Sequence, residues 1–252
     1  MKLKLNWIPN ALSLGNLTFG YMSILICSGA NQNGGENSKI FLLSGTFIFL
    51  AAIFDGFDGM VARALDATSE LGAELDTLAD LTTFGIAPGF LMYKMILEKY
   101  HIHLNEANNT IPIGMLISAI FPICAAYRLA RFTVAHDPSS FTGLPSPIAG
   151  VIIALFPMSF QENKILDILT ISGFVLVALL MVSTIKYTKP QVAIRGKFSK
   201  EKLMIAGFLF FLLILLASLL APFILPYLAY GLILFYVFSG IISLVIQIIQ
   251  EF

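Results

Sequence analysis

Long apolar runs separated by short polar stretches occupy the chain from residue 11 to residue 246. Runs of about 17 to 25 apolar residues are long enough to cross a bilayer as helices. Eight such spans are expected, at 11–30, 40–65, 71–95, 111–132, 145–160, 165–183, 203–220 and 227–246. The fifth is the shortest. An Asn- and Gly-rich stretch at 31–39, a polar stretch at 98–110 and a basic stretch at 186–202 read as loops between them.

Composition agrees with this pattern. Hydrophobic residues make up 58% and charged residues 12%, whereas soluble domains average about 25% charged. The mean hydropathy is +0.87. The expected fold class is therefore an all-α polytopic membrane protein. Its 15 cationic and 15 anionic residues cancel, so no global field argues for nucleic acid as a partner, and the lipid bilayer is the partner implied.

Cation placement orients the spans, because cytoplasmic loops carry the excess of Lys and Arg. With the N-terminus in the cytoplasm, Lys39, Lys94, Lys99 and Lys164 fall outside and the other eleven of the fifteen cations fall inside. Both termini are then cytoplasmic. Met1 to Pro9 lacks a small-residue cleavage site after the first apolar stretch, so the first helix is expected to stay in the mature protein. Cys27 and Cys124 sit in apolar segments without metal or redox spacing and read as core packing.

The anions are clustered. Asp55, Asp58, Asp66, Glu70, Glu74, Asp76 and Asp80 all fall at the junction of the second and third spans. Ionisable groups within membrane helices are costly unless paired, hydrated or metal-bound, so they mark a functional site. Asp55, Asp58, Gly59 and Ala62 share one helical face, and Gly72, Asp76 and Asp80 share another. The second span is about 39 Å long at 1.5 Å per residue, enough to bring its charged end to the cytoplasmic interface. Asp66, Thr68 and Ser69 are candidate N-caps for the third span, so the two helices form a hairpin with facing carboxylate pairs.

Such carboxylates would repel without a cation. Oxygen-only ligation favours Mg²⁺ or Mn²⁺, with Ca²⁺ also suited, and four carboxylates fit two ions better than one. Paired ions are a recurring device for phosphoryl transfer. Gly59, Ala62 and Gly72 leave room for a phosphate or nucleotide near the backbone, and Arg63 offers a planar cation for a phosphate oxygen.

The pattern D-x-x-D-G-x-x-A-R-x8-G-x-x-x-D-x-x-x-D, filled by Asp55, Asp58, Gly59, Ala62, Arg63, Gly72, Asp76 and Asp80, resembles the signature of the CDP-alcohol phosphotransferases. The resemblance implies a membrane enzyme that moves a substituted phosphate from a CDP-linked donor to an alcohol and releases CMP. It makes Asp55, Asp58 and Asp76 metal ligands, Asp80 both ligand and catalytic base, and Gly59, Ala62, Arg63 and Gly72 the lining of the CDP site. It implies a six-helix core over residues 1–185. The basic loop 186–202 and two additional C-terminal helices in 203–252 then lie outside it. A homodimer in the prokaryotic cell membrane is also implied, and the cation bias places the acidic cluster on its cytoplasmic side.

Further segments narrow the resemblance. Ile8-Pro9-Asn10 with Gly15-Asn16-Leu17 and Gly20, then residues 83–88, Tyr127 to Phe132 and Gly143 to Pro147, look like the membrane-embedded prokaryotic phosphatidylserine synthases. The implied substrates are CDP-diacylglycerol and L-serine. Arg128 and Arg131 are candidates for the serine carboxylate. Anchoring of the helix is the alternative role, weighed below binding for at least one of them, and the pair would also suit glycerol 3-phosphate, inositol phosphate or another acceptor, so it does not decide the alcohol.

An ion or proton transporter is the reading from another class, but a relay needs carboxylates spread across the membrane depth, and these gather at one end. His101 and His103 read as a solvated outside loop. The six cations of 186–202 read as topogenic charge that attracts anionic headgroups.

Overall fold

The computed structural model describes residues 7–30, 37–65, 67, 69–104, 109–134, 140–159, 164–188, 231 and 237–238. Its backbone is overwhelmingly helical. The helices are α1 (Trp7–Ser28), α2 (Asn37–Ala64), α3 (Glu70–Leu81), α4 (Ala87–Met95), α5 (Ile113–Val134), α6 (Ser146–Ser159) and α7 (Lys164–Val182). A π-helical segment, Thr82–Ile86, joins α3 to α4 without a break, so the pair corresponds to the expected third span.

The first six expected spans are thus all helical, with ends moved by a few residues. Among the described residues, α1, α2 and α5 are each long and apolar enough to cross a membrane, and α6 and α7 are shorter apolar helices. The spans expected at 203–220 and 227–246 lie outside the described residues. The polar loops hold short antiparallel ladders that hydrophobic patterning did not reveal. Strand β1 (Ile102–Leu104) pairs with β2 (Asn109–Ile111), and β3 (Ser140–Thr142) pairs with β4 (Lys186–Thr188).

The chain divides into two compact units, residues 1–134 with 145–182 and residues 135–144 with 183–252. In the first, α1 packs along α2 and also meets α3 and α4, α2 meets α6, and α5 meets α7. The core holds Cys27, Ile48, Phe84, Leu91 and Ala154, and Phe121 stacks on Phe174 with ring centroids 5.0 Å apart. Both cysteines are buried and unbridged.

What α1 buries is not its most apolar face. Pro9, Ser13, Asn16, Gly20, Ser23 and Cys27 point inward, while Trp7, Leu14, Tyr21, Met22 and Leu25 are exposed on the protein surface. In a bilayer this inversion is expected, because lipid solvates the large apolar side chains and helices associate through small and polar residues. Gly20 is the clearest close approach. A Cβ there would collide with Thr83 Oγ1 and lie 2.8 Å from Thr83 Cα. Ser23 and Ser44 share a buried hydrogen bond of 2.8 Å between α1 and α2.

Candidate active site

The turn between α2 and α3 is built as the capping residues require. Ser69 is the N-cap of α3, in extended conformation, and its Oγ accepts from the Gly72 N–H at 3.0 Å. Of the other cap candidates, Asp66 and Thr68 lie outside the described residues. The cap starts α3 so that Asp76 and Asp80 face back toward α2.

Because the two helices run antiparallel, the carboxylates pair in inverted order. Asp55 faces Asp80, and Asp58 faces Asp76. One carboxylate oxygen from each of Asp55, Asp76 and Asp80 lies within 4.8 Å of the others, a grouping able to hold a metal ion. Asp58 adjoins this group through Asp76 and is buried, at 6% exposure, as is Asp80 at 8%.

The donor set fits a hard divalent cation. All its atoms are carboxylate oxygens, which suit Mg²⁺, Mn²⁺ or Ca²⁺ better than the softer metals. Asp76 Oδ1 is buried without a hydrogen-bond partner among the described residues. A buried acceptor without a donor is costly, and a cation would satisfy it.

Beside the carboxylates lies a cavity of about 160 Å³, lined by Asp58, Gly59, Ala62, Gly72 and Asp76 from the hairpin and by Pro9, Asn10 and Ser13 from α1. The acidic pattern's small residues therefore do border open space. A Cβ at Gly59 would meet nothing within 4 Å, whereas one at Gly72 would lie 2.9 Å from Asn10 Oδ1. Arg63 belongs to α2, but its side chain lies outside the described residues.

The two arginines of α5 go to different places. Arg128 is buried at 6% exposure, donates from Nη1 to Ser146 Oγ at 2.8 Å, stands over the Phe132 ring and is in electrostatic reach of Asp55 and Asp80. Arg131 instead donates to the last carbonyls of α7, to Val182 O at 2.9 Å and Met181 O at 3.2 Å. Cations are favoured at such C-terminal carbonyls by the helix dipole.

The acidic pattern alone does not reveal what α1 contributes. Ser13 Oγ lies 3.1 Å from Asp58 Oδ2, and Asn16 donates from Nδ2 to Asp80 Oδ1 at 3.3 Å. Their i, i+3 spacing on one face was the available signal, though its partners lie in another helix.

Residues 6–185 match the model of the CDP-alcohol phosphatidyltransferase family. A CDP-diacylglycerol–serine O-phosphatidyltransferase of Helicobacter pylori is 35% identical over 186 residues, covering 71% of this chain and 70% of that protein. The Bacillus subtilis protein of the same name is 35% identical over 185 residues, covering 73% of this chain and 90% of that one. An archaetidylserine synthase of Methanothermobacter thermautotrophicus is 30% identical over 187 residues, covering 72% and 70%.

Proposed function

The chain belongs to the CDP-alcohol phosphatidyltransferase family, and from that premise we propose that it transfers a phosphatidyl group from CDP-diacylglycerol to the hydroxyl of L-serine, releasing CMP. The observation that carries the reading is the convergence of Asp55, Asp76 and Asp80 within 4.8 Å at the edge of a small-residue cavity. The names of the relatives support serine as the acceptor.

Asp55, Asp58, Asp76 and Asp80 would hold divalent metal, Mg²⁺ or Mn²⁺ in two sites, with Ca²⁺ compatible with the same oxygens. When bound, the metal neutralises the diphosphate and stabilises the departing CMP. Gly59, Ala62 and Gly72 leave room for the CDP moiety, and Arg63 is assigned to a phosphate oxygen. Arg128, the buried cation beside the aspartates, is assigned to the serine carboxylate. Arg131 is assigned to holding the end of α7.

Asp80 takes the proton from the serine hydroxyl as that oxygen attacks the phosphorus nearest the diacylglycerol. The bond from that phosphorus to the bridging oxygen breaks, and CMP leaves with the bridging oxygen. In-line displacement is preferred to a covalent intermediate, since the acidic pattern contains no Ser, Cys or His nucleophile. The lipid tails of the donor stay in the bilayer while its headgroup enters from the cytoplasmic face, the side that the cation bias favours for the acidic hairpin and both termini. Prokaryotic relatives support the cell membrane as its location, and the family resemblance favours a homodimer.

The test is CMP release by the purified chain with CDP-diacylglycerol and Mg²⁺ or Mn²⁺, offered serine, glycerol 3-phosphate or inositol phosphate in turn. Release is expected with serine and the divalent ion together, and is expected to stop on chelation. Activity only with another alcohol would move the acceptor assignment, and inactivity with all of them in folded protein would overturn the reading.

A further inference from the structure

We propose that α1 carries two positioning residues for the metal-binding carboxylates, Asn16 for Asp80 and Ser13 for Asp58. The assignment of those carboxylates rests on the reading above, but the arrangement does not lie in the acidic pattern, which begins at Asp55. Each of the two inverted pairs receives one polar side chain from the same face of α1. Asn16 Nδ2 meets Asp80 Oδ1 at 3.3 Å, and Ser13 Oγ meets Asp58 Oδ2 at 3.1 Å.

Asn16 is fixed from several sides. It is wholly buried, at 0% exposure. Its backbone carbonyl accepts from Thr83 Oγ1 at 3.0 Å, three residues beyond Asp80. Gly20, one turn further along α1, brings the helix against Thr83 with no room for a side chain. The amide orientation follows, since turning it over would set its oxygen against the Asp80 carboxylate. Asn16 Oδ1 has no partner among the described residues, so the Asp80 bond is the polar contact the side chain makes there.

An apolar residue would pack this position at less cost. A buried amide oxygen without a partner costs stability, and here the donor of the same amide holds one oxygen of a carboxylate. Ser13 is the weaker of the two, because its single proton has a second acceptor in Pro9 O at 3.2 Å. Outer-shell hydrogen bonds of this kind set the orientation of metal ligands, and losing one typically lowers metal affinity or activity by about 10- to 100-fold.

The experiment measures Mn²⁺ binding to the detergent-purified full-length chain by electron paramagnetic resonance, without substrate. Asn16→Ala is expected to weaken binding about tenfold and Ser13→Ala by less. Ser23→Ala, on the same buried face but bonded to Ser44, is expected to leave it unchanged. Asn16→Leu keeps the branched shape without the amide and serves if the alanine variant does not fold. In an Asp80→Ala background the Asn16 substitution is expected to add nothing, as it must if it acts through Asp80. Wild-type affinity in both Asn16 variants, an equal loss in Ser23→Ala, or a full further loss in the Asp80→Ala background would each overturn the proposal. Absence of Mn²⁺ binding by the wild-type chain would overturn it together with the metal assignment. Normal Mn²⁺ binding without CMP release from any alcohol would defeat the transferase reading alone.

Discussion

Arg128 and Arg131 stand three residues apart on α5 and have different partners: Ser146 and the neighbourhood of Asp55 and Asp80 for the first, the carbonyl end of α7 for the second. Arg128→Ala should raise the KM for serine at least about tenfold, as expected for losing a charge-assisted carboxylate contact. Arg131→Ala should leave that KM within about twofold and lower the unfolding midpoint, because its bonds stabilise a helix end. Initial rates over a serine series and thermal unfolding in detergent separate the two. Asp80→Asn should cut kcat by on the order of 100-fold or more while donor binding changes far less, since general-base catalysis contributes about 10²- to 10⁴-fold. Retention of near-normal kcat would remove Asp80 as base. The aspartates were legible from spacing, because four carboxylates gathered at one end of two apolar helices are costly unless paired, hydrated or metal-bound. Ser13 and Asn16 were not, because a polar residue in a membrane helix acquires meaning only from its partner, and these partners lie 45 and 64 residues away.

The hairpin of α2 and α3 followed from the sequence, down to Ser69 as one of three candidate caps. The π-helical segment at Thr82–Ile86 was not anticipated, although Gly85 and Pro88 interrupt the apolar pattern there and Pro88 has no N–H to bond the carbonyl one turn back. There the Ala87 N–H reaches back to the Thr82 carbonyl, widening the helix from Thr82, two residues after Asp80. π-bulges of this kind occur often at functional sites. The same segment packs tightly against α1, through Gly20 and Thr83. Gly20→Ala must push these backbones apart, and a destabilisation of about 1–3 kcal/mol is expected for overpacking of a tight contact. The expected outcome is a lower thermal midpoint together with weaker Mn²⁺ binding, as Asn16 is carried away from Asp80. A variant with both quantities unchanged would show that the α1 contact is not needed to seat the site.

At the scale of the molecule, the cation distribution predicts that the hairpin turn and the 98–110 loop lie on opposite sides of the membrane. Cys27 and Cys124 are buried, so single cysteines placed at exposed Glu70 and exposed His101 report their own sides. An impermeant maleimide should label the His101→Cys protein in intact cells and the Glu70→Cys protein only after permeabilisation. The reverse pattern would place the site outside. The membrane class, the first six helices, the acidic hairpin and the family were legible in the chain alone, because hydrophobic length and residue spacing are local properties that survive without knowing what packs where. Which carboxylate faces which, that α1 contributes Ser13 and Asn16, and that two neighbouring arginines part company emerged from the packed helices. Those depend on antiparallel register and on how closely two backbones approach, and both are set by contacts between residues far apart in the chain.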